Sequence, residues 1–318
     1  MRKILLASTA IVALSAGSAM ASDITISGSF EFGYNDDSTN SAGSQLTNGD
    51  GTAYTVEQDV NIVMSSTTDS GLTMSMTMGL SEGAAVDDVN ASLSGDFGSL
   101  RFTNQDDDTV EGIDVNVAAA TSEEGTPNPS GATPDADAPA YAGGFSGTGG
   151  TSVSYTLPTL VDGLKIAAAS QNGAADADST AMGASYTMAA GGASVTVAVA
   201  SSSVGANAAA DTTRNHYGIS ITSGDVAIMA ESNSMDDGTA ADYSSTGVGG
   251  TYTMGAIKVG AYNRTASTGT ATQDYSQTAY GIDYTIATGL TASITQTSTD
   301  KSSTISVDRT RASLKMAF

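Results

Sequence analysis

Leu72-Thr73-Met74-Ser75-Met76-Thr77-Met78-Gly79-Leu80-Ser81 is the stretch from which the fold follows. Its even positions are apolar and its odd ones small or polar. The repeat is therefore two residues, the period of an extended strand with one apolar and one polar face. A helix would spread the same residues around its circumference. The pattern continues upstream, where Ile24, Ile26, Gly28, Phe30, Phe32 and Tyr34 alternate with Thr25, Ser27, Ser29, Glu31 and Gly33. Val56, Val60, Ile62 and Met64 are likewise set against Glu57, Asp59 and Asn61. At the far end Ala312, Leu314, Met316 and Phe318 alternate with Arg311, Ser313, Lys315 and Ala317.

Between these segments the chain is punctuated in two ways. Short turn-like joints fall at Thr67 to Gly71, Gly95 to Gly98, Pro158 to Gly163, Ala190 to Ala193, Ser223 to Asp225, Gly255, and Ala287 to Gly289. Longer polar joints fall at Asn35 to Thr52, Gln171 to Ser179, Ser201 to Asn215, Ser232 to Asp242, Asn263 to Asp274, and Ser298 to Ser303. This spacing predicts about sixteen antiparallel strands, each near the ~9–11 residues that a tilted membrane strand needs. With no composition break, residues 22–318 read as one all-β domain.

Before that domain, Arg2 and Lys3 precede an apolar run from Ile4 to Leu14, and Ala19-Met20-Ala21 follows it. These are the three regions of a secretory signal peptide, predicted over residues 1–21 with cleavage before Ser22. The run is well short of the ~20 residues of a spanning helix. The chain carries 11 basic and 34 acidic residues, so removing Arg2 and Lys3 leaves 9 − 34 = −25. Such an excess excludes nucleic acid as a partner. With no Cys there is neither a disulfide framework nor a thiolate metal site.

Soluble sandwiches also alternate, but a sandwich core of this length recruits large side chains, Trp included. Here Trp is absent and aromatics are 6% of the chain. Thin bands of Val, Ile, Leu, Met and Ala carry Tyr or Phe towards strand ends, at Phe30, Phe32, Phe102, Tyr155, Tyr186, Tyr217, Tyr252, Tyr280 and Tyr284. That suits a lipid-facing belt edged by aromatic girdles. An exterior in contact with acyl chains needs only the absence of charge and closed backbone hydrogen bonding. Two rivals have the same composition. A secreted or surface-attached β-rich adhesin built as a solenoid would repeat every ~20–30 residues, whereas these loops vary widely. A substrate-specific outer-membrane channel would want aromatics in its longest loop, where Tyr141 and Phe145 are the only ones.

That longest loop, residues 103–150, is unlike the rest. It holds nine acids, four Pro residues and no Lys or Arg. A connection beyond ~12–15 residues is usually functional or disordered. A barrel of about sixteen strands leaves an aqueous channel, and selectivity then follows from charge at its narrowest point. Parity places Arg101, Arg309, Arg311 and Lys315 on the inner face, with Lys165 and Lys258 of the same parity; local pairing with Asp308 and Glu57 is the plainer role for these bases.

Taken together, the opening strand, the segment Val63 to Leu72, the turn Leu93 to Arg101, the terminal Phe318 and the place of the long loop after the fifth strand resemble the general trimeric porins of Gram-negative outer membranes. The resemblance covers the whole mature chain. It implies sixteen strands in the outer membrane, a homotrimer, passage of ions and small hydrophilic solutes, and a third external loop folded inward to narrow the pore. It also implies that the barrel-assembly machinery reads Phe318, and that loop acids oppose basic wall residues across the constriction. The acids so expected are Asp106, Asp107, Asp108, Glu111 and Asp114, facing Arg101, Arg309, Arg311 and Lys315. Basic residues are fewer than in the family's usual ladder, so the expectation is a cation-preferring pore. Calcium occurs in the family. Asp106-Asp107-Asp108 and Asp236-Asp237 offer it oxygen ligands, neither with the spacing of a dedicated calcium loop, and no cofactor is required. His216 is the one imidazole, and with no nucleophile elbow or metal motif beside it the chain does not read as an enzyme.

Overall fold

A computed structural model describes residues 22–41, 51–80, 86–104, 110, 113–121, 151–171, 178–204, 212–236, 243–267, 274–301 and 305–318. The signal-peptide reading of residues 1–21 lies outside them. Sixteen strands follow one another: β1 Ser22–Ser41, β2 Gly51–Thr67, β3 Thr73–Leu80, β4 Val86–Gly95, β5 Gly98–Asn104, β6 Thr151–Thr156, β7 Leu164–Gln171 and β8 Ser179–Ala190 in the first half. The second half comprises β9 Ala193–Val204, β10 Thr212–Ser223, β11 Val226–Asp236, β12 Tyr243–Met254, β13 Ile257–Ser267, β14 Tyr275–Ala287, β15 Leu290–Lys301 and β16 Ile305–Ala317. Each pairs antiparallel with its neighbours in sequence, and β16 pairs with β1 to close the barrel. Closure satisfies every strand edge, the condition for a sheet to cross lipid.

The short joints lie where glycine punctuation places them. Gly98 shows why: its φ is 103°, and a Cβ there would overlap the carbonyl of Thr156. The longer joints need correction. Strands run past the expected ends into the polar stretches, so that β9 reaches Val204, β11 reaches Asp236, β13 reaches Ser267 and β1 reaches Ser41. At these outer ends the regular apolar alternation is lost, as over Asn35 to Ser38 and Ser232 to Ser234. A strand that rises above the lipid belt has no apolar side to bury, and the period of two disappears although the ladder continues. For the same reason β5 continues to Asn104, beyond the Thr103 at which the long loop was placed.

Exposure along β15 settles which face looks where. Ile294 is 60% exposed, while Thr295 and Thr297 beside it are 1% and 0% exposed. The aromatics Phe32, Phe102, Tyr155, Tyr186, Tyr217, Tyr252, Tyr280 and Tyr284 all share the exposed face. Apolar outside and polar inside inverts a soluble sandwich and is the arrangement of a transmembrane barrel. It also removes the adhesin reading, since a solenoid has no closed interior.

The inner face is not polar all round. Ala167 and Ala169 of β7, Ala181 of β8 and Ala198 and Ala200 of β9 face inward and are nearly inaccessible. On β9 the outward Val197 and Val199 alternate with these inward alanines. A strand apolar on both faces is one covered on both, and what covers this one is the chain that follows β5.

Candidate functional site

Ile113, Val115 and Val117 alternate with Asp114 and Asn116, so the segment is extended, with its apolar side chains buried and the polar pair half-buried. It runs along the inner face of the barrel from β7 to β14. Ile113 and Val110 pack on Ala167, Ala169, Ala181 and Ala200, and further along Val117 and Ala120 pack on Tyr262 and Ala279. It carries a single 3-10 turn, Val117–Ala120, whose N-terminus is capped by Asn116 Oδ1 accepting from Ala118 N–H at 2.9 Å.

A row of wall glycines makes room for it. A Cβ on Gly183 of β8 would stand 2.7 Å from Ile113 Cγ2, and one on Gly247 of β12 would stand 2.7 Å from Val117 Cγ2. On Gly218 of β10 it would press on Val115, and on Gly260 of β13 it would overlap the carbonyl of Ala120. These glycines are needed for close approach of one backbone to another rather than for any unusual φ.

Two polar anchors fix the segment in place. The first is His216 of β10, fully buried, whose Nε2 accepts from Val115 N–H at 3.0 Å. An accepting Nε2 carries no proton, so Nδ1–H donates, and its partner is Asn233 Oδ1 at 2.7 Å. Asn233 passes the chain on to Ser245 Oγ at 3.2 Å. Both ring nitrogens are thus occupied in holding a loop.

The second anchor spans three strands. Glu231 of β11, Gly247 of β12 and Arg264 of β13 share one row of the sheet. Because Gly247 has no side chain, Arg264 reaches across it and donates to Glu231 Oε1 from Nε at 2.9 Å and from Nη2 at 2.6 Å. The other carboxylate oxygen, Oε2, accepts from Val117 N–H at 3.0 Å, and Arg264 Nη2 also donates to Asn116 Oδ1 at 3.2 Å. One buried ion pair therefore binds both the backbone and the cap of the loop.

Opposite this covered arc the wall formed by β16, β1 and β2 carries charges of both signs. Arg309 forks onto Asp37, Nε to Oδ1 at 2.8 Å and Nη2 to Oδ2 at 3.0 Å. Arg311 reaches Glu31 at 3.0 Å and Glu57 at 3.6 Å, and Lys315 stands 3.8 Å from Glu31. The bases of β16 are thus shared out among acids of the adjoining strands.

A family model for the Gram-negative porins matches residues 7–304. The chain belongs to the Gram-negative porin family. Solved structures agree on the fold. A mutant of the Rhodopseudomonas blastica porin superposes with a TM-score of 0.65 at 16% identity, covering 93% of this chain and 100% of that one. A loop-deletion mutant of OmpT, an outer-membrane protein of Vibrio cholerae, gives 0.67 at 12% identity, covering 94% and 100%. At these identities the likeness is one of architecture. No curated protein matches the sequence.

Of the residues expected at this porin's constriction, Asp106, Asp107, Asp108 and Glu111 lie outside the described residues, and Asp114 is half-buried on the segment that crosses the wall. Arg309, Arg311 and Lys315 do point inward, but their partners in the described residues are Asp37, Glu31 and Glu57 rather than loop acids. Asp308, expected as a local partner, is on the exposed outer face. Arg101 faces inward only three residues above the β4–β5 turn (101 − 98), and Lys258 pairs with Asp283 at 3.4 Å. Among the described residues no cluster of three acids or histidines could hold a metal ion. Sequence reasoning missed Glu231, Arg264 and the glycine row. Their inward parity was readable, but their shared row depends on strand register.

Proposed function

We propose that this chain, a Gram-negative porin by family and fold, is a diffusion pore of the outer membrane for ions and small hydrophilic solutes, narrowed at mid-barrel by residues 113–121 and cation-preferring. The observation that carries this reading is the double anchoring of the segment on the inner wall by His216 and by the Glu231–Arg264 pair. A segment tied in this way narrows the bore without closing it, because it occupies one arc of the wall and leaves the opposite arc to water. Cation preference rests on the acidic balance of the chain and on the pairing of the β16 bases with acids of their own wall. Cleavage of residues 1–21, assembly as a homotrimer and reading of Phe318 by the barrel-assembly machinery complete the proposal. Loop acids that bind Ca²⁺ would be an optional addition, with no role in permeation. A narrower, substrate-specific channel remains the second reading, favoured by the cramped inner arc under the loop. Reconstitution of the purified protein in planar bilayers tests the proposal. Stepwise conductance with a reversal potential on the cation side supports it, failure to conduct overturns it, and saturation by one solute class selects the narrower channel.

A further inference from the structure

The anchored loop lies on one side of the bore, which raises the question of what it faces. His216 stands seven residues above the β10–β11 turn (223 − 216) and Asp59 eight residues above the β2–β3 turn (67 − 59), so both are at mid-barrel. In the closed order β2 and β10 are eight strands apart in either direction, half of sixteen, so Asp59 is diametrically across from the point where Val115 is held. Asp59 is exposed, opens on a cavity of about 460 Å³ shared with Ser27, Ser29, Asn61 and Gly79, and accepts a single hydrogen bond, from Ser29 Oγ at 3.3 Å. Among the described residues no base pairs with it. The nearby cations are engaged elsewhere: Arg309 with Asp37, Arg311 with Glu31 and Glu57, and Lys315 with Glu31.

We infer that Asp59 is a selectivity-determining residue of the channel, the acid on the β2 wall past which permeating cations move opposite the anchored loop. The inference rests on the channel reading above and deepens it by placing the deciding charge on the rigid wall rather than in the loop acids. The physics is local. A solvated carboxylate with no paired base raises cation occupancy and lowers anion occupancy beside it, whereas the carboxylates already paired with arginine contribute little net field. One unit charge at about 5 Å in water changes local ion occupancy roughly fourfold, and the effect fades as salt is raised.

The test is the reversal potential of single channels in a gradient of dilute KCl, for the wild type, Asp59→Asn, Asp59→Glu and Asp59→Lys. Asp59→Asn keeps the bond from Ser29 and is expected to lower the cation-to-anion permeability ratio by up to about sixteenfold, about fourfold from each ion. Asp59→Lys is expected to lower it further, and Asp59→Glu to retain it. An unchanged reversal potential in Asp59→Asn, with normal conductance steps, overturns the inference while leaving the pore intact. So does a larger shift on neutralising Asp106, Asp107, Asp108 and Glu111 together with none at Asp59. A wild type that never conducts overturns the channel reading itself, which separates the two failures.

Discussion

The arc from β7 to β14 and the arc from β16 through β1 to β2 are built from the same alternating strands, yet one inner face is covered by chain and the other is largely open. Under the loop, the inward residues include Gly, Ala and polar groups that bond one another or the loop backbone, among them His216, Glu231, Arg264 and Asn233. They are buried and hold one backbone against another. Across the bore, Asp37, Glu57, Asp59 and Arg309 remain in contact with solvent. The difference teaches that inward parity alone does not make a residue part of a pore. A charge beneath the loop is a structural group in a water-poor setting, and on the open arc Asp37, Asp59 and Arg309 meet solvent although Glu31 and Arg311 beside them are buried.

This contrast can be broken by substitution, and the largest effect is expected at the buried ion pair. Glu231→Gln leaves Arg264 without its counter-charge beneath the loop and should cost about 3–5 kcal/mol, as breaking buried pairs does. Heat-induced unfolding in detergent, followed by circular dichroism, reads this directly. A melting curve that does not move would mean that water reaches the pair and that the covered arc is no different from the open one. Next comes Gly260→Val, which drives a branched side chain into the carbonyl of Ala120. Overpacking of this kind costs about 3 kcal/mol at the upper end of its range, and single-channel records should become noisy as the 3-10 turn leaves the wall. Quiet records at wild-type conductance would show that the turn is not seated there.

His216→Leu should have a smaller effect, about 2 kcal/mol, since it strands the N–H of Val115 without an acceptor. His216→Gln, whose side-chain oxygen can accept from the same amide, should recover most of that loss, and equal melting of the two variants would rule out the hydrogen bond as the cause. The smallest effect belongs to the open arc. Asp37→Asn breaks a fork whose side chains are 18% and 19% exposed, more open than the 12% and 0% of the Arg264–Glu231 pair, and its stability cost should be the smaller of the two. A cost as large as that of Glu231→Gln would erase the distinction between the two arcs.

Much of the barrel was legible because lipid imposes a strict rule on one face only. Met74, Met76 and Met78, or Tyr280, Ile282 and Tyr284, recur at a period of two over a belt of constant width, and the short turns between belts are marked by glycine. Strand ends beyond the belt were not legible, since at Asp36, Ser38 or Ser234 neither face has apolar residues to keep. The loop segment had its own alternation in Ile113, Val115 and Val117. It reads as a fragment of strand until the wall glycines Gly183, Gly218 and Gly247 are seen beneath it. Parity put Arg309, Arg311 and Lys315 on the inner face, where they lie, but parity does not report partners, and Glu31 and Asp37 became visible as partners only through the β1–β16 register.

By itself, then, the sequence determined a lipid-facing belt, an order of strands and a long acidic connection after the fifth of them, because each of these depends on residues near one another in the chain. Tertiary structure decided which inward residues are buried and which are wet. That choice depends on Glu231, Gly247 and Arg264 falling in one row, and on Val115 meeting His216 a hundred and one residues away. Register around a closed barrel sets such meetings, and register is a property of all sixteen strands at once.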